Sequence, residues 1–181
     1  TTTPRILTME FVEGIKISEI ERLKAAGLDR KRINLRGANF FLKQVLDYGF
    51  FHADPHPGNI CVLPDDVICL YDFGMVGSVD RNTRELFVDL LESLIQQNEH
   101  RATQILLKLT VCEEEPDIRS LEKEVAVFMG RHLYKPLKDI ELGRLLQDLL
   151  ELASRYHLSI PPDIFLMMKA FGTIEGISRM L

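Results

Sequence analysis

Tryptophan is absent from the 181 residues, cysteine occurs three times, and no apolar run approaches the roughly 20 residues needed to cross a bilayer. Each shortage removes a class of protein. Cys61, Cys69 and Cys112 are odd in number and widely scattered, which argues against a disulfide framework or a zinc site and for a reducing compartment. Basic residues are also in deficit. Lys and Arg total 22 against 27 Asp and Glu, for a net charge of −5, so nucleic-acid binding has no electrostatic footprint. The densest basic cluster, Arg30, Lys31, Arg32 and Arg36, is expected to be the solvated face of a helix rather than a lipid-headgroup contact. Thr1–Leu7 is short, polar and then strand-like, unlike a signal or transit peptide. Repeats, low-complexity tracts and interdomain linkers are missing too, and the 46% hydrophobic content suffices for one domain or one large lobe with a real core.

The elements follow from patterning. Thr3–Val12 reads as a strand ending in a turn at Glu13-Gly14. Ser18 with Glu21 forms a capping box for a short helix closed by Gly27. Asp29 caps the next helix, whose apolar positions Ile33, Phe40, Phe41, Val45 and Tyr48 have helical spacing, and Gly49 stops it. His52–Asn59, rich in Pro and Gly, is a loop. Ile60–Leu63 and Val67–Tyr71, separated by Pro64-Asp65-Asp66, predict a β-hairpin that sets reduced Cys61 opposite reduced Cys69. Beyond residue 80 the pattern is helical. Asn82 and Glu85 form an N-cap pair ahead of Leu86, Leu90, Leu91 and Leu94, and amphipathic segments follow near 99–110, 118–132, 140–157 and 161–179. His100, His132 and His157 fall on these helices without ligand spacing and read as surface or packing residues. The fold class is mainly α with a small β-hairpin.

The chemistry concentrates in a short stretch. His52-Ala53-Asp54 is followed by Asn59 five positions past the aspartate, and by Asp72-Phe73-Gly74 starting thirteen positions past the asparagine. An isolated Asp-Phe-Gly is usually a turn. The set of residues, with a hairpin between, matches what phosphoryl transfer requires: oxygen ligands from two loops hold magnesium against the phosphates, and a separate carboxylate faces the attacking hydroxyl.

His52-Ala53-Asp54-Pro55-His56-Pro57-Gly58-Asn59 and Tyr71-Asp72-Phe73-Gly74-Met75-Val76-Gly77 resemble the signature loops of the UbiB/ADCK atypical kinases, and Met9–Gly14 is similar to that family's hinge. The resemblance implies a protein kinase-like C-terminal lobe. Residues 1–14 would be the end of an N-lobe strand and hinge, and 15–181 the C-lobe, with catalytic loop 52–59, metal-binding turn 72–74 and helical remainder 80–181. It implies ATP and Mg2+ as cofactors, Asp54 as the catalytic carboxylate, and Asn59 and Asp72 as metal ligands. Glu10 and Val12 would meet adenine through their backbone, Met9 would gate the pocket behind it, and His56 would contact phosphate or substrate. His52 is expected to fix the loop by hydrogen bonding. The implied role is support of ubiquinone or other isoprenoid-quinone biosynthesis. Partners would be a lipid or quinone-biosynthesis proteins, and the setting cytoplasmic or peripheral at an inner membrane of a mitochondrion or plastid. The family's phosphate loop, strand lysine, helix glutamate and Lys-x-Gly-Gln motif have no counterpart in these residues, so an N-terminal lobe is expected upstream of Thr1 and the chain alone is expected to be inactive.

Two other readings compete. Aminoglycoside- or choline-kinase-like enzymes share the loop type but usually follow their metal aspartate with tryptophan or another residue, not Phe-Gly. A non-catalytic scaffold would have no need of Asp54, Asn59 and Asp72 together. Only Met75–Arg81 separates the Asp-Phe-Gly turn from the next helix, and no Ala-Pro-Glu follows, which disfavours a protein substrate.

Overall fold

A computed structural model describes residues 2–112, 116–133 and 142–181. The first residues of the helix expected at 140–157 therefore lie outside the described residues. The fold is mainly helical with small antiparallel sheets, as the patterning indicates.

The β component centres on the hairpin. Strands β1 (Ile15–Lys16), β3 (Ile60–Leu63) and β4 (Val67–Leu70) form an antiparallel sheet in the order β1-β3-β4. Its register pairs Ile60 with Leu70, Cys61 with Cys69 and Leu63 with Val67. Cys61, Cys69 and Cys112 are free thiols. The expected strand over Thr3–Val12 does not form. Thr3 and Ile6 make an isolated bridge, and Leu7–Gly14 runs without strand pairing. A strand needs a neighbour for its N–H and C=O groups, and no described segment supplies one there.

The turn of the hairpin is held from outside. Asp65 and Asp66 both adopt left-handed backbone (φ 62° and 56°), a region aspartate tolerates better than most residues. The buried Asp66 carboxylate accepts from the Asp29 N–H at 3.0 Å and forms an ion pair with Arg32. The Arg36 guanidinium donates to the carbonyls of Asp65 (2.6 Å) and Asp66 (3.1 Å). Lys31, Arg32 and Arg36 are exposed, as expected of a solvated basic face, and Arg32 and Arg36 in addition clasp the hairpin turn. The clasp is possible because Asp29, as predicted, caps α2 (Arg30–Leu42), accepting from the N–H groups of Lys31 and Arg32.

Two other predicted caps fail. Helix α1 (Ile20–Ala25) starts at Glu19 without a side-chain cap, so Ser18 forms no capping box, although Gly27 (φ 69°) does lie just past its end. Asp80, not Asn82, caps α3 (Arg81–Ile95). Asp80 has extended backbone and accepts from Thr83 N–H at 2.8 Å, whereas Asn82 already lies inside the helix. Past α2 the chain widens into π-helical turns over Lys43–Tyr48 before Gly49 (φ 66°) ends it. The altered winding rotates Tyr48 into solvent, and Phe40 stays half exposed, while Ile33, Phe41 and Val45 are buried as expected.

Strand β2 (Phe50–His52) pairs with β5 (Val76–Ser78), so His52 is the end of a strand, and Pro57–Asn59 forms one 3-10 turn started by proline. Both departures lie within the segment read as irregular loop. Phe51 is fully buried opposite Gly77, where an added Cβ would lie 2.3 Å from the ring.

Helices α4 (Glu99–Leu109), α5 (Ile118–His132), α6 (Leu142–Arg155) and α7 (Pro162–Met180) build the helical layer with α3. Its core joins Leu90, Leu106, Leu121, Leu152 and Met167 to Phe41 and Phe51 under the catalytic loop. Phe171 of α7 packs edge-on against Phe41 at 5.1 Å and stacks on Phe87 at 5.7 Å. A second cluster, including Ile17, Ile33, Val62 and Ile177, lies beneath the three-stranded sheet. His132 is buried against Asp148, and His100 meets Glu122, as packing and surface roles require. His157 departs from expectation by lying past α6 in a left-handed turn (φ 54°).

Replacing Asp66 by Ala removes the acceptor of the part-buried Asp29 N–H bond and the anchor for Arg32. The expected loss is about 1–3 kcal/mol of unfolding free energy, measured by urea denaturation beside an Asp65→Ala control.

Candidate active site

Asp54, Asn59 and Asp72 come from two segments tied together by backbone. The Ala53 N–H donates to the Met75 carbonyl at 3.0 Å, and the Tyr71 N–H donates to the Asn59 carbonyl at 2.8 Å. The second bond continues the hairpin ladder one rung beyond Ile60–Leu70, so Asp72 follows directly after the residue paired with Asn59. The catalytic loop and the Asp-Phe-Gly turn are thereby neighbours.

His52 completes the junction. Its ring is buried, with Nε2 3.1 Å from the Tyr71 carbonyl and Nδ1 3.2 Å from the Asp54 N–H. A carbonyl can only accept and an N–H can only donate, so the hydrogen-bond network assigns the tautomer with its proton on Nε2. Gln44 Oε1 accepts from the His52 N–H at 3.1 Å, and Phe73 packs 5.4 Å from the ring. His52 therefore braces the loop, the role expected of it.

Within the loop, the Asp54 carbonyl accepts from His56 N–H at 2.7 Å and from Asn59 Nδ2 at 3.5 Å. With the amide nitrogen directed to the loop, Asn59 keeps its oxygen as a donor for a cation. Asp72 holds a left-handed backbone (φ 53°), and one carboxylate oxygen accepts from Gly74 N–H at 3.2 Å, leaving the other for a ligand. Such a conformation costs about 1 kcal/mol or more and is tolerated best by Asp, Asn and Gly. Among the described residues no group of three or more His, Cys, Asp or Glu could hold a metal unaided. An amide oxygen and a carboxylate oxygen nevertheless suit magnesium, which is commonly bound by one or two protein oxygens together with substrate phosphates and water.

The remaining predicted residues are less concentrated. His56 is exposed, and its Nδ1 accepts from Gly58 N–H at 3.1 Å, capping the 3-10 turn. Met9 and Glu10 are exposed on the unpaired N-terminal segment. Val12 is half-buried, and its carbonyl accepts from the Tyr71 hydroxyl at 3.4 Å, which fastens the hinge segment to the hairpin. A cleft of about 760 Å3 opens beside Val12 and Gly14; Asp54, Asn59 and Asp72 do not line it, nor do Met9 and Glu10. One residue outside the motif does reach the site. Lys169 of α7 places its ammonium 3.1 Å from the Asp54 carboxylate. Its signal in the sequence is faint: a single cation within the apolar run Ile164–Phe171.

The ABC1 atypical kinase-like domain matches residues 1–106, and the UbiB helical domain matches 125–181. The chain belongs to the ABC1/UbiB atypical kinase family. Among ABC1 relatives, an uncharacterized protein of Synechocystis, sll1770, is 36% identical over 179 residues, covering 98% of this chain and 31% of that protein. Two Arabidopsis thaliana proteins are named ACTIVITY OF BC1 COMPLEX KINASE 7 and 8, chloroplastic. The first is 34% identical over 178 residues and the second 32% over 211, each across 98% of this chain, which covers 26% and 28% of their lengths. The chain thus spans about a quarter to a third of these ABC1 relatives. No helix among the described residues is long and apolar enough to cross a membrane.

Tyr71 offers two measurable consequences. Its hydroxyl shares a 2.7 Å hydrogen bond with Cys61, and this bond, with burial, pushes the phenol up to about 12. Because the folded value is raised, the phenol's contribution to stability is full below about pH 10 and lost as pH rises through about 12. Absorbance titration of Tyr71 should show that late ionisation, and Cys61→Ala should move it back toward about 10. His52→Ala would leave the Asp54 N–H and Tyr71 carbonyl unpaired, an expected loss of about 1–3 kcal/mol for each group left buried, read by thermal unfolding.

Proposed function

We propose that this chain carries the catalytic-loop and metal-ligand part of an ATP-dependent phosphotransferase or ATPase of the UbiB type. The observation that supports this most is the bracing of the Asp54 loop against the Asp-Phe-Gly turn by His52. Phosphoryl transfer depends chiefly on positioning and charge, and the two oxygen-bearing loops must keep a fixed separation. Asn59 and Asp72 would hold magnesium, which supplies charge neutralisation at the phosphates. Asp54 would accept the proton of the attacking hydroxyl. Val12, with Met9 and Glu10 beside it, would meet adenine, and His56 a phosphate or substrate group.

The acceptor is a small molecule, a lipid or water. Only Met75–Asp80 joins the Asp-Phe-Gly turn to α3, and Val76–Ser78 of that connection is taken up by β5, which leaves little chain for a peptide platform. The family resemblance favours support of isoprenoid-quinone biosynthesis at a membrane surface. The chloroplastic naming of the Arabidopsis relatives favours a plastid setting.

The test is magnesium-dependent ATP hydrolysis by a form extended to the relatives' full length. Asp72→Asn and Asp54→Asn should each lower kcat by about 10²-fold or more. Residues 1–181 alone hold the triphosphate from one side and should turn over negligibly. Equal turnover in the extended form and both variants would overturn the assignment.

A further inference from the structure

A loop that delivers a phosphoryl group needs positive charge close to the transferring oxygens. Asp54-Pro55-His56-Pro57-Gly58-Asn59 contains no lysine or arginine, and the Nδ1 of His56 is occupied by Gly58 N–H. Magnesium held by Asn59 and Asp72 would supply part of that charge from one side, and α7 brings a further cation beside Asp54. Lys169 lies 115 residues from Asp54 in sequence, yet its Nζ lies 3.1 Å from Asp54 Oδ1.

The backbone of α7 is fixed at this point. Met168 and Ala170 on either side of Lys169 are buried, and Phe171 is locked between Phe41 and Phe87. The lysine side chain, by contrast, is 42% exposed and that of Asp54 38%. An ion pair so exposed contributes little to stability. What the arrangement supplies is an ammonium on a fixed backbone, half-exposed and beside the Asp54 carboxylate. In a productive complex the acceptor oxygen hydrogen-bonds to Asp54 and stands about 3–3.5 Å from the phosphorus. The phosphoryl oxygens then lie within one side-chain swing of Nζ.

We propose that Lys169 is a further catalytic residue of this site, resting on the phosphotransferase reading above: when nucleotide binds, its ammonium moves from Asp54 to the γ-phosphoryl oxygens. The move uncovers Asp54 to take the acceptor proton. The acceptor oxygen then forms its bond to the γ-phosphorus, and the bond from phosphorus to the bridging oxygen breaks. The electron pair leaves with ADP. The Lys169 ammonium balances charge on the transferring group. The segment matched by the UbiB helical domain thus contributes a group to the chemistry.

The experiment uses the full-length form and compares Lys169→Ala, Lys169→Arg and Asp72→Asn. Lys169→Ala should lower kcat about 10²–10³-fold while the ATP KM changes only a few-fold. Added propylammonium, which replaces the deleted atoms, should restore part of kcat in Lys169→Ala, and Lys169→Arg should retain more activity than Lys169→Ala. If the wild type is active and Asp72→Asn is not, but Lys169→Ala keeps the wild-type kcat, this role falls and the phosphotransferase reading stands. Lost activity in Lys169→Ala with a lowered Tm and no amine rescue assigns the lysine a structural role and also overturns the proposal. A wild type without magnesium-dependent turnover overturns both.

Discussion

The hydrogen bond from Tyr71 N–H to the Asn59 carbonyl, 2.8 Å long, is the last rung of the hairpin ladder and the first contact of the active-site junction. Its existence depends on register. A slip of one residue would turn each side chain of the moving strand to the opposite face. Cys61 would lose Cys69, and Asp72 would no longer follow the partner of Asn59. The turn resists that slip because Asp66 is buried and bound to Asp29 and Arg32. A carboxylate inside the clasp therefore governs the placement of carboxylates in the site.

The helical layer has a different part. Buried aromatic and aliphatic side chains of α2, β2, α3 and α7 meet beneath the loop, so the loop rests on packed core rather than on other loops. His52 and the Ala53–Met75 bond then transmit that rigidity to Asp54 and the Asp-Phe-Gly turn. Because Lys169 and Asp54 are 115 residues apart in sequence, their contact forms only when distant segments have docked. Contacts of such separation carry a loop-closure cost that local packing must first offset.

The sequence was most informative where one local rule decides the outcome. Pro64-Asp65-Asp66 between two apolar runs predicted the hairpin and its Cys61–Cys69 rung, and Asp29 and Gly49 marked the ends of α2 and its π-helical extension. Spacing alone singled out Asp54, Asn59 and Asp72, and the structure joins their two segments. Legibility failed where tertiary partners decide. A strand pattern over Thr3–Val12 found no neighbour to pair with. Ser18 and Asn82 had the right chemistry for caps, but the backbone turned helical at other residues. Arg32 and Arg36 are exposed as expected, but nothing local says that they also bind an aspartate turn. Lys169 was hidden for the same reason, since its partner is fixed by the docking of a whole helix.

Gly77 has a consequence for how this sequence can vary. Its Cα faces the buried ring of Phe51 across the β2–β5 ladder, at a separation that no Cβ can share. Every other amino acid brings that atom, so no single exchange at position 77 is neutral while Phe51 remains. A smaller residue at position 51 would make room, but alone it would open a hole beneath the catalytic loop. Positions 51 and 77 are thus bound to change as a pair, and drift at either is closed until the other has moved.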